Sequence, residues 1–334
     1  MNICYNRAVK QKKGAYTMKK YLLPENGNFY KSNLHCHSTF SDGKWTPEEI
    51  KEKYMRRGYS IIAYTDHRTL HSHQYLTDDR FLALDGFEID VSESEDKNGR
   101  GYKKTCHFCL IAKKQGTPHH DFGDEDTYTP ENISRIMKEA RKLGFFVTYN
   151  HPNWSLEDFS DYINYDGMDA VEIVNYGCVA VGYQDYVPMV YDEMLRYGKR
   201  IYCIGTDDNH NRYDEDSVYC DSFGGFTVIK ADELKYESIT AALENGAFYT
   251  SQGPEIKSLW YEDGKIHIET SPVKKIDFVF GSRRAETRIA EKDCYITEAE
   301  CTVPEDSIFV RISAKDENGL PADTNAYFVD ELNK

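Results

Sequence analysis

From residue 31 to about residue 249, short apolar runs alternate with stretches whose apolar positions recur at helical spacing. Strands covered by helices on both faces read as continuous apolar runs, so the alternation predicts an α/β fold of βα units around a parallel sheet. The first run is 33–37. A helix follows, with Thr46 as N-cap, Pro47 at the first helical position, Glu49 completing a capping box, and an end near Gly58. Further strands are expected at 60–64, 81–84, 105–112, 145–149, 170–174 and 200–205, and further helices at 129–144, 186–197 and 236–245.

After Gly253-Pro254 the pattern changes to short alternating pieces at 265–269, 275–280 and 308–312, with turns at Asp263-Gly264 and Asn318-Gly319. This predicts a small C-terminal β-sandwich. The expected organisation is an N-terminal extension and lead-in over 1–30, a main domain over 31–250 and the β-sandwich over 254–334. Residues 1–17 read as an extension upstream of a natural start at Met18.

Composition narrows the class. The 334 residues, 40% hydrophobic and 13% aromatic with 10 prolines, supply a packed core and suit one large domain plus a smaller one. The formal net charge of -15 argues against nucleic acid as a partner, because such binding needs clustered cations. An anionic substrate stays open, since metal ions add positive charge that the count omits. Nine cysteines, odd in number and set in apolar runs, read as reduced thiols of a cytoplasmic protein. Cys106 and Cys109 form a Cys-x-x-Cys pair, but no second pair follows at zinc spacing, so both read as core thiols. No 18-residue apolar run occurs, and the Lys-rich N-terminus lacks a signal peptide's apolar stretch, so no membrane association is expected.

The candidate chemistry lies where the apolar runs end. His35 and His37 are two apart, so on a strand both imidazoles face one side, and Asp42 follows in the adjacent loop. Asp66-His67 ends the next run, Glu88 follows another, His107 sits within a strand, Asn150-His151-Pro152 ends a further one, and Asp207-Asp208-Asn209-His210 ends the last. C-terminal strand ends of a parallel α/β sheet share one face, so six strands would deliver His and carboxylate groups to one rim as metal ligands. Of the 11 His, His71, His73, His119, His120 and His267 lie in loops or the tail and read as solvated. Asp66 reads as a partner orienting an imidazole. Asp207 and Asp208 both stand near the rim, and the Asp-x-His spacing favours Asp208.

The segments Leu34-His35-Cys36-His37-Ser38-Thr39-Phe40-Ser41-Asp42-Gly43, Tyr64-Thr65-Asp66-His67, Gly86-Phe87-Glu88, Asn150-His151-Pro152 and Asp208-Asn209-His210 resemble, in order, the motifs of the PHP (polymerase and histidinol phosphatase) family. The resemblance covers about 31–249. It implies a distorted (β/α)7 TIM-like barrel and a site for two or three divalent ions, with zinc, manganese and iron all suited to such ligands. Carried over by position, His35, His37, Glu88 and Asp208 would hold the first ion. Glu88, His107 and His151 would hold the second, and Asp42, His67 and His210 the third. Some relatives carry His at the position of Asp42.

Two such ions sharing a water could present hydroxide to phosphorus and neutralise charge on the phosphoryl oxygens. His210 or His67, where not fully committed to a third metal, could protonate the leaving alkoxide. Arg68 and Arg212 stand where a guanidinium could meet a phosphate or carboxylate. The expected function is therefore a phosphoesterase, a phosphatase or phosphodiesterase, acting on a small phosphorylated molecule such as a nucleotide. The alternatives are a bimetallic hydrolase of amides or carboxylic esters, exonuclease-like editing, which the charge balance disfavours, and a non-catalytic metal-binding module. The C-terminal module carries no ligand-like constellation and leaves room for a role in homo-oligomer formation.

Overall fold

The computed structural model describes residues 2–3, 19–96 and 99–332, and divides the chain into two compact units: Asn28–Gly246, and Met1–Gly27 together with Ala247–Lys334. This differs from the expected division at 30, 250 and 254. Lys20–Tyr21 is a strand paired antiparallel with Ile256–Glu262, Tyr21 opposite Trp260, so backbone hydrogen bonding ties the described lead-in to the C-terminal unit. Apart from residues 2 and 3, the extension expected at 1–17 lies outside the described residues.

The larger unit is a mixed α/β fold. Its strands are β1 (Asn28–Asn33), β2 (Tyr59–Tyr64), β3 (Leu82–Ser92), β4 (Thr105–Ala112), β5 (Phe145–Tyr149), β6 (Ala170–Asn175), β7 (Tyr202–Thr206) and β8 (Phe226–Ala231), ordered β8-β1-β2-β3-β4-β5-β6-β7. The longer helices are α1 (Pro47–Arg56), α2 (Pro130–Lys142), α3 (Pro188–Arg196) and α4 (Tyr236–Glu244). Ile61, Ile62, Ala63, Val147 and Val171 are wholly buried, as strands covered on both faces require.

The sheet is not uniformly parallel, which corrects the expectation of simple βα repeats. β1–β2, β2–β3, β5–β6 and β6–β7 pair parallel, but β8–β1, β3–β4 and β4–β5 pair antiparallel. The described residues between β3 and β4 contain no helix, and a parallel return would need a crossover, so the chain turns back as a hairpin. β8 is absent from the expected strands. At the sheet's two ends, Thr227 of β8 accepts from the Gly205 N–H at 3.1 Å and donates to the Gly205 carbonyl at 2.9 Å, so β7 and β8 meet through one side chain without a ladder.

Local signals place the helix starts as expected. The Thr46 hydroxyl accepts from the Glu49 N–H at 3.2 Å while the Glu49 carboxylate accepts from the Thr46 N–H at 2.8 Å, a reciprocal cap of the kind that contributes about 1 kcal/mol. Thr129 caps α2 in the same sense, accepting from the Asn132 N–H at 3.3 Å.

The second unit is built of two largely antiparallel sheets. One joins Lys20–Tyr21 to β10 (Ile256–Glu262), β11 (Lys265–Val273) and β14 (Cys294–Thr302). The other joins β9 (Phe248–Ser251), β16 (Pro321–Thr324), β15 (Phe309–Lys315), β12 (Lys275–Val279) and β13 (Ala285–Ile289). Asp263 and Gly264 both take positive φ, 51° and 76°, as a two-residue hairpin turn between β10 and β11 demands. Alternate residues Leu259, Ile266, Ile268, Ile276, Phe278 and Ile312 are buried. Among the described residues no helix is long and apolar enough to cross a membrane.

Candidate metal centre

The strand β1 ends at Asn33, four residues short of the expected run, yet the two histidines keep the predicted relationship. Segment 35–37 stays extended because neighbours on both sides hold its backbone. The Thr65 N–H donates to the Cys36 carbonyl at 2.9 Å, the His37 N–H to the Asn209 carbonyl at 3.1 Å, and the Asp208 N–H to the His35 carbonyl at 3.0 Å. Alternation then puts both imidazoles on one side, their Nε2 atoms 3.2 Å apart, with the Cys36 thiol buried in the core. Gly43 completes the turn beyond: a Cβ there would lie 2.4 Å from the His37 carbonyl oxygen, which no side chain tolerates.

Glu88 is the hub of the cluster. It lies in the middle of β3 and not at a strand end, because β3 runs past the end of β2 before pairing with β4. Its Oε1 is 3.0 Å from His107 Nδ1, 3.3 Å from His35 Nε2 and 3.4 Å from His151 Nε2, while Oε2 is 3.2 Å from His67 Nδ1 and 3.3 Å from His37 Nε2. His107 stands near the start of its strand. It reaches the same pole as the others because β4 runs antiparallel, so the correction to the sheet is what delivers this ligand.

Asp208 and Asp42 complete the acidic set. Asp208 Oδ1 is 3.1 Å from His37 Nε2 and 3.2 Å from His35 Nε2, and Asp42 Oδ1 is 3.3 Å from His210 Nε2 and 3.7 Å from His67 Nε2. Among the described residues the candidate ligand atoms fall into five groups: His35, His37 and Asp208; Glu88, His107 and His151; His37, Asp42, His67 and His210; His35, Glu88 and Cys109; and His35, His151 and Glu172. Backbone strain accompanies this. Asp208 and His151 adopt φ of 51° and 27°, a region non-glycine residues avoid unless surrounding structure holds them there.

Asp207, the neighbour left open by sequence, does something else. It is buried and accepts hydrogen bonds from the N–H groups of Phe223, Gly224 and Gly225 and from the Tyr54 hydroxyl, fixing the loop before β8.

A layer of partners behind the cluster was missed from sequence. Glu172, in the middle of β6, is buried and accepts from His35 Nδ1–H at 3.1 Å, the His151 N–H at 2.9 Å and the Asn175 amide at 2.9 Å, and also from the Thr206 hydroxyl. The Asn175 amide donates to Asp208 as well, at 3.0 Å. The one available signal was a lone carboxylate inside the apolar run 170–174. Asp66 does not orient His67 directly. It accepts from the Ser38 N–H and hydroxyl and from the Ser41 hydroxyl, and Ser41 in turn lies 3.4 Å from His37 Nδ1.

Electrostatics bear on whether cations fit. Burial disfavours charge on His37, but Asp208 and Glu88 outweigh it and raise its pKa to about 9; in His151 burial is likewise outweighed, chiefly by Glu88 and Asp208, giving about 9. Burial pushes Glu88 and Asp208 up, yet the surrounding imidazoles hold both well below the usual carboxylate range. His210 does the same to Asp42. The Oδ1 atoms of Asp42 and Asp208 and Nδ1 of His67 are buried with no hydrogen-bond partner among the described residues. Paired ring nitrogens facing one another, converging ionised carboxylates and unpartnered donor atoms need positive charge between them. Two ligand atoms about 2.1 Å from a tetrahedral ion stand roughly 3.4 Å apart, close to the spacings above. The residues therefore fit divalent cations.

The cluster floors a cavity of about 240 Å³ whose rim includes Trp154, Cys178, Val181, Arg212, Tyr213 and Tyr219. Arg68, expected to meet substrate, is not among the lining residues: its guanidinium makes two hydrogen bonds of 2.9 Å to the Asp90 carboxylate, which uses its fork. Arg212 does line the cavity and donates to Asp42 Oδ2 at 3.0 Å. His73, read as solvated, is 2% exposed and packs against Phe40 and Tyr64, so burial overturns that expectation. The thiols of Cys106 and Cys109 are free and buried.

No family model matches the chain. Among curated proteins, the DNA polymerase/3'-5' exonuclease PolX of Bacillus subtilis (strain 168) is 39% identical over 71 residues, which is 21% of this chain and 12% of that protein's length. Among solved structures, the chain is similar to a two-domain protein from Bacteroides vulgatus containing a predicted PHP-like metal-dependent phosphoesterase, at 16% identity and a TM-score of 0.46, with 93% of this chain and 100% of that one covered. It is also similar to a protein from Bifidobacterium adolescentis described as a metal-dependent phosphoesterase, at 15% identity and a TM-score of 0.40, covering 58% of this chain and 91% of the other. An amidohydrolase from Chromobacterium violaceum matches at 14% identity and a TM-score of 0.38, covering 54% of this chain and 87% of the other.

Proposed function

We propose that the unit Asn28–Gly246 is a metal-dependent phosphoesterase, a strand ring of the PHP type that hydrolyses the phosphate ester of a small molecule. The observation that carries this reading is the convergence of five imidazoles on the two oxygens of Glu88, at 3.0 to 3.4 Å. A structural role would not need so many buried titratable groups with unpartnered donor atoms, each costly to desolvate.

Glu88 would join two ions, one held with His35, His37 and Asp208 and the other with His107 and His151. Asp42, His67 and His210 would hold a third. When bound, divalent cations supply Lewis acidity and lower the pKa of a coordinated water towards neutrality. The remaining work falls to the chain's own groups. Glu172 accepts a hydrogen bond from His35 Nδ1–H and so leaves Nε2 free to ligate. His210 donates Nδ1–H to the Asp208 carbonyl at 3.0 Å, which turns its Nε2 towards Asp42 and the cavity. Where the third position is unfilled, His67 and His210, the partly exposed imidazoles of the cluster that line the cavity, would be placed to deliver a proton to a departing alkoxide.

The test is a screen of phosphomonoesters, phosphodiesters and acyl esters, with manganese, zinc or iron added and with EDTA. Metal-dependent phosphate release is expected, with acyl esters inert. Turnover of acyl esters or amides alone would sink the phosphoesterase reading.

A further inference from the structure

The cavity's floor and rim differ in chemistry. The floor carries the imidazoles and carboxylates. The rim beyond them presents Trp154, Val181, Tyr213 and Tyr219, and Arg212 is its only Lys or Arg among the described residues. Trp154 stands edge-on to His107 and His151, with ring centroids 5.3 and 5.1 Å apart, yet remains 37% exposed. Tyr213 and Tyr219 lie 5.3 Å apart in a tilted pair and are 48% and 53% exposed. Rim polar capacity is partly used: Asp221 Oδ2 accepts from the His210 and Asn211 N–H groups and Oδ1 from the Asn211 N–H. A flat π-system would find aromatic faces and edges on this rim.

Resting on the phosphoesterase reading, we infer that the organic part of the substrate is a planar aromatic group, an aryl ring or a nucleobase, received by Trp154, Tyr213 and Tyr219 while its phosphoryl group reaches the cluster. Trp154 is the principal specificity residue because, of these three aromatic side chains, it is the one whose ring packs on His107 and His151 of the floor.

Benzyl and butyl phosphate separate the ring from the chemistry, since both release simple primary alkoxides. The full-length, manganese-loaded protein is expected to show kcat/KM for benzyl phosphate at least about 5-fold above that for butyl phosphate, carried by KM, a magnitude typical of aromatic stacking. Trp154→Leu should abolish this preference and Trp154→Phe should keep most of it. Equal losses on both esters in Trp154→Leu would overturn the specificity role, leaving Trp154 as a support for His107 and His151. A binding arm needs no turnover: benzylphosphonate should bind at least about 5-fold more tightly than butylphosphonate by calorimetry. Equal affinities overturn the aromatic subsite even if esters are hydrolysed. Preferential binding without any phosphate release supports the subsite and removes the phosphoesterase reading instead.

Discussion

Glu172 Oε1 lies 3.1 Å from His35 Nδ1, on the side of the ring away from Glu88 and Asp208. A buried carboxylate in this position holds the imidazole in the tautomer whose Nε2 can ligate. Glu172→Gln is expected to keep the fold but lower divalent-metal affinity about 10- to 100-fold. Metal titration followed by calorimetry checks this, and unchanged affinity would count against the role.

Asp207 and Asp208 are adjacent yet should behave oppositely. Asp207→Ala strands three backbone N–H groups and the Tyr54 hydroxyl, so metal-free stability should drop by at least about 2 kcal/mol. Asp208→Ala should abolish metal binding, which Asp207→Ala should retain. Urea unfolding with chelator, paired with metal analysis, separates the two; matching behaviour would refute the assignment.

His37→Ala and Glu88→Ala should each abolish hydrolysis and deplete bound metal, with far-UV circular dichroism unchanged. Full activity in either variant contradicts the centre.

Converging ionised carboxylates are stabilised by bound cations. Chelation should therefore lower the melting temperature and re-added manganese should restore it, with about 3 kcal/mol of stabilisation at a hundred times the dissociation constant. A melting temperature indifferent to chelator and metal would argue that the cluster holds no ion.

Glu157 offers a pH test away from the metal ligands. Burial raises its pKa from 4.5 to about 7, partly offset by the hydroxyls of Tyr149, Tyr165 and Tyr128. An acid raised in the folded state stabilises fully below its unfolded pKa, and that contribution is lost as pH climbs through the folded value. Relative to Glu157→Gln, the parent should lose up to about 3 kcal/mol between about pH 4.5 and 7. Parallel stability profiles for the two proteins would remove this reading.

Much of the site was legible because its signals are local. The two-residue spacing of His35 and His37, the Asp-x-His of Asp208 and His210, and the Thr46 to Glu49 capping box each depend on backbone periodicity over a few residues. What escaped was set by long-range pairing. The reversal between β3 and β4 put Glu88 mid-strand and brought His107 to the pole from the start of its own strand. Glu172 looked like any residue of an apolar run until β1 and β6 placed it behind His35. Arg68 and Arg212 looked alike in sequence, and only the position of Asp90 drew the first away while the cavity took the second.

The sequence by itself determined which residue types could coordinate cations and roughly where strands would present them, since side-chain alternation and helix caps act over a few residues. Only the tertiary structure decided which carboxylate is shared, which stays behind the ligands and which anchors a loop. Those roles depend on contacts between segments 16 to 153 residues apart along the chain, and local periodicity carries no information about them.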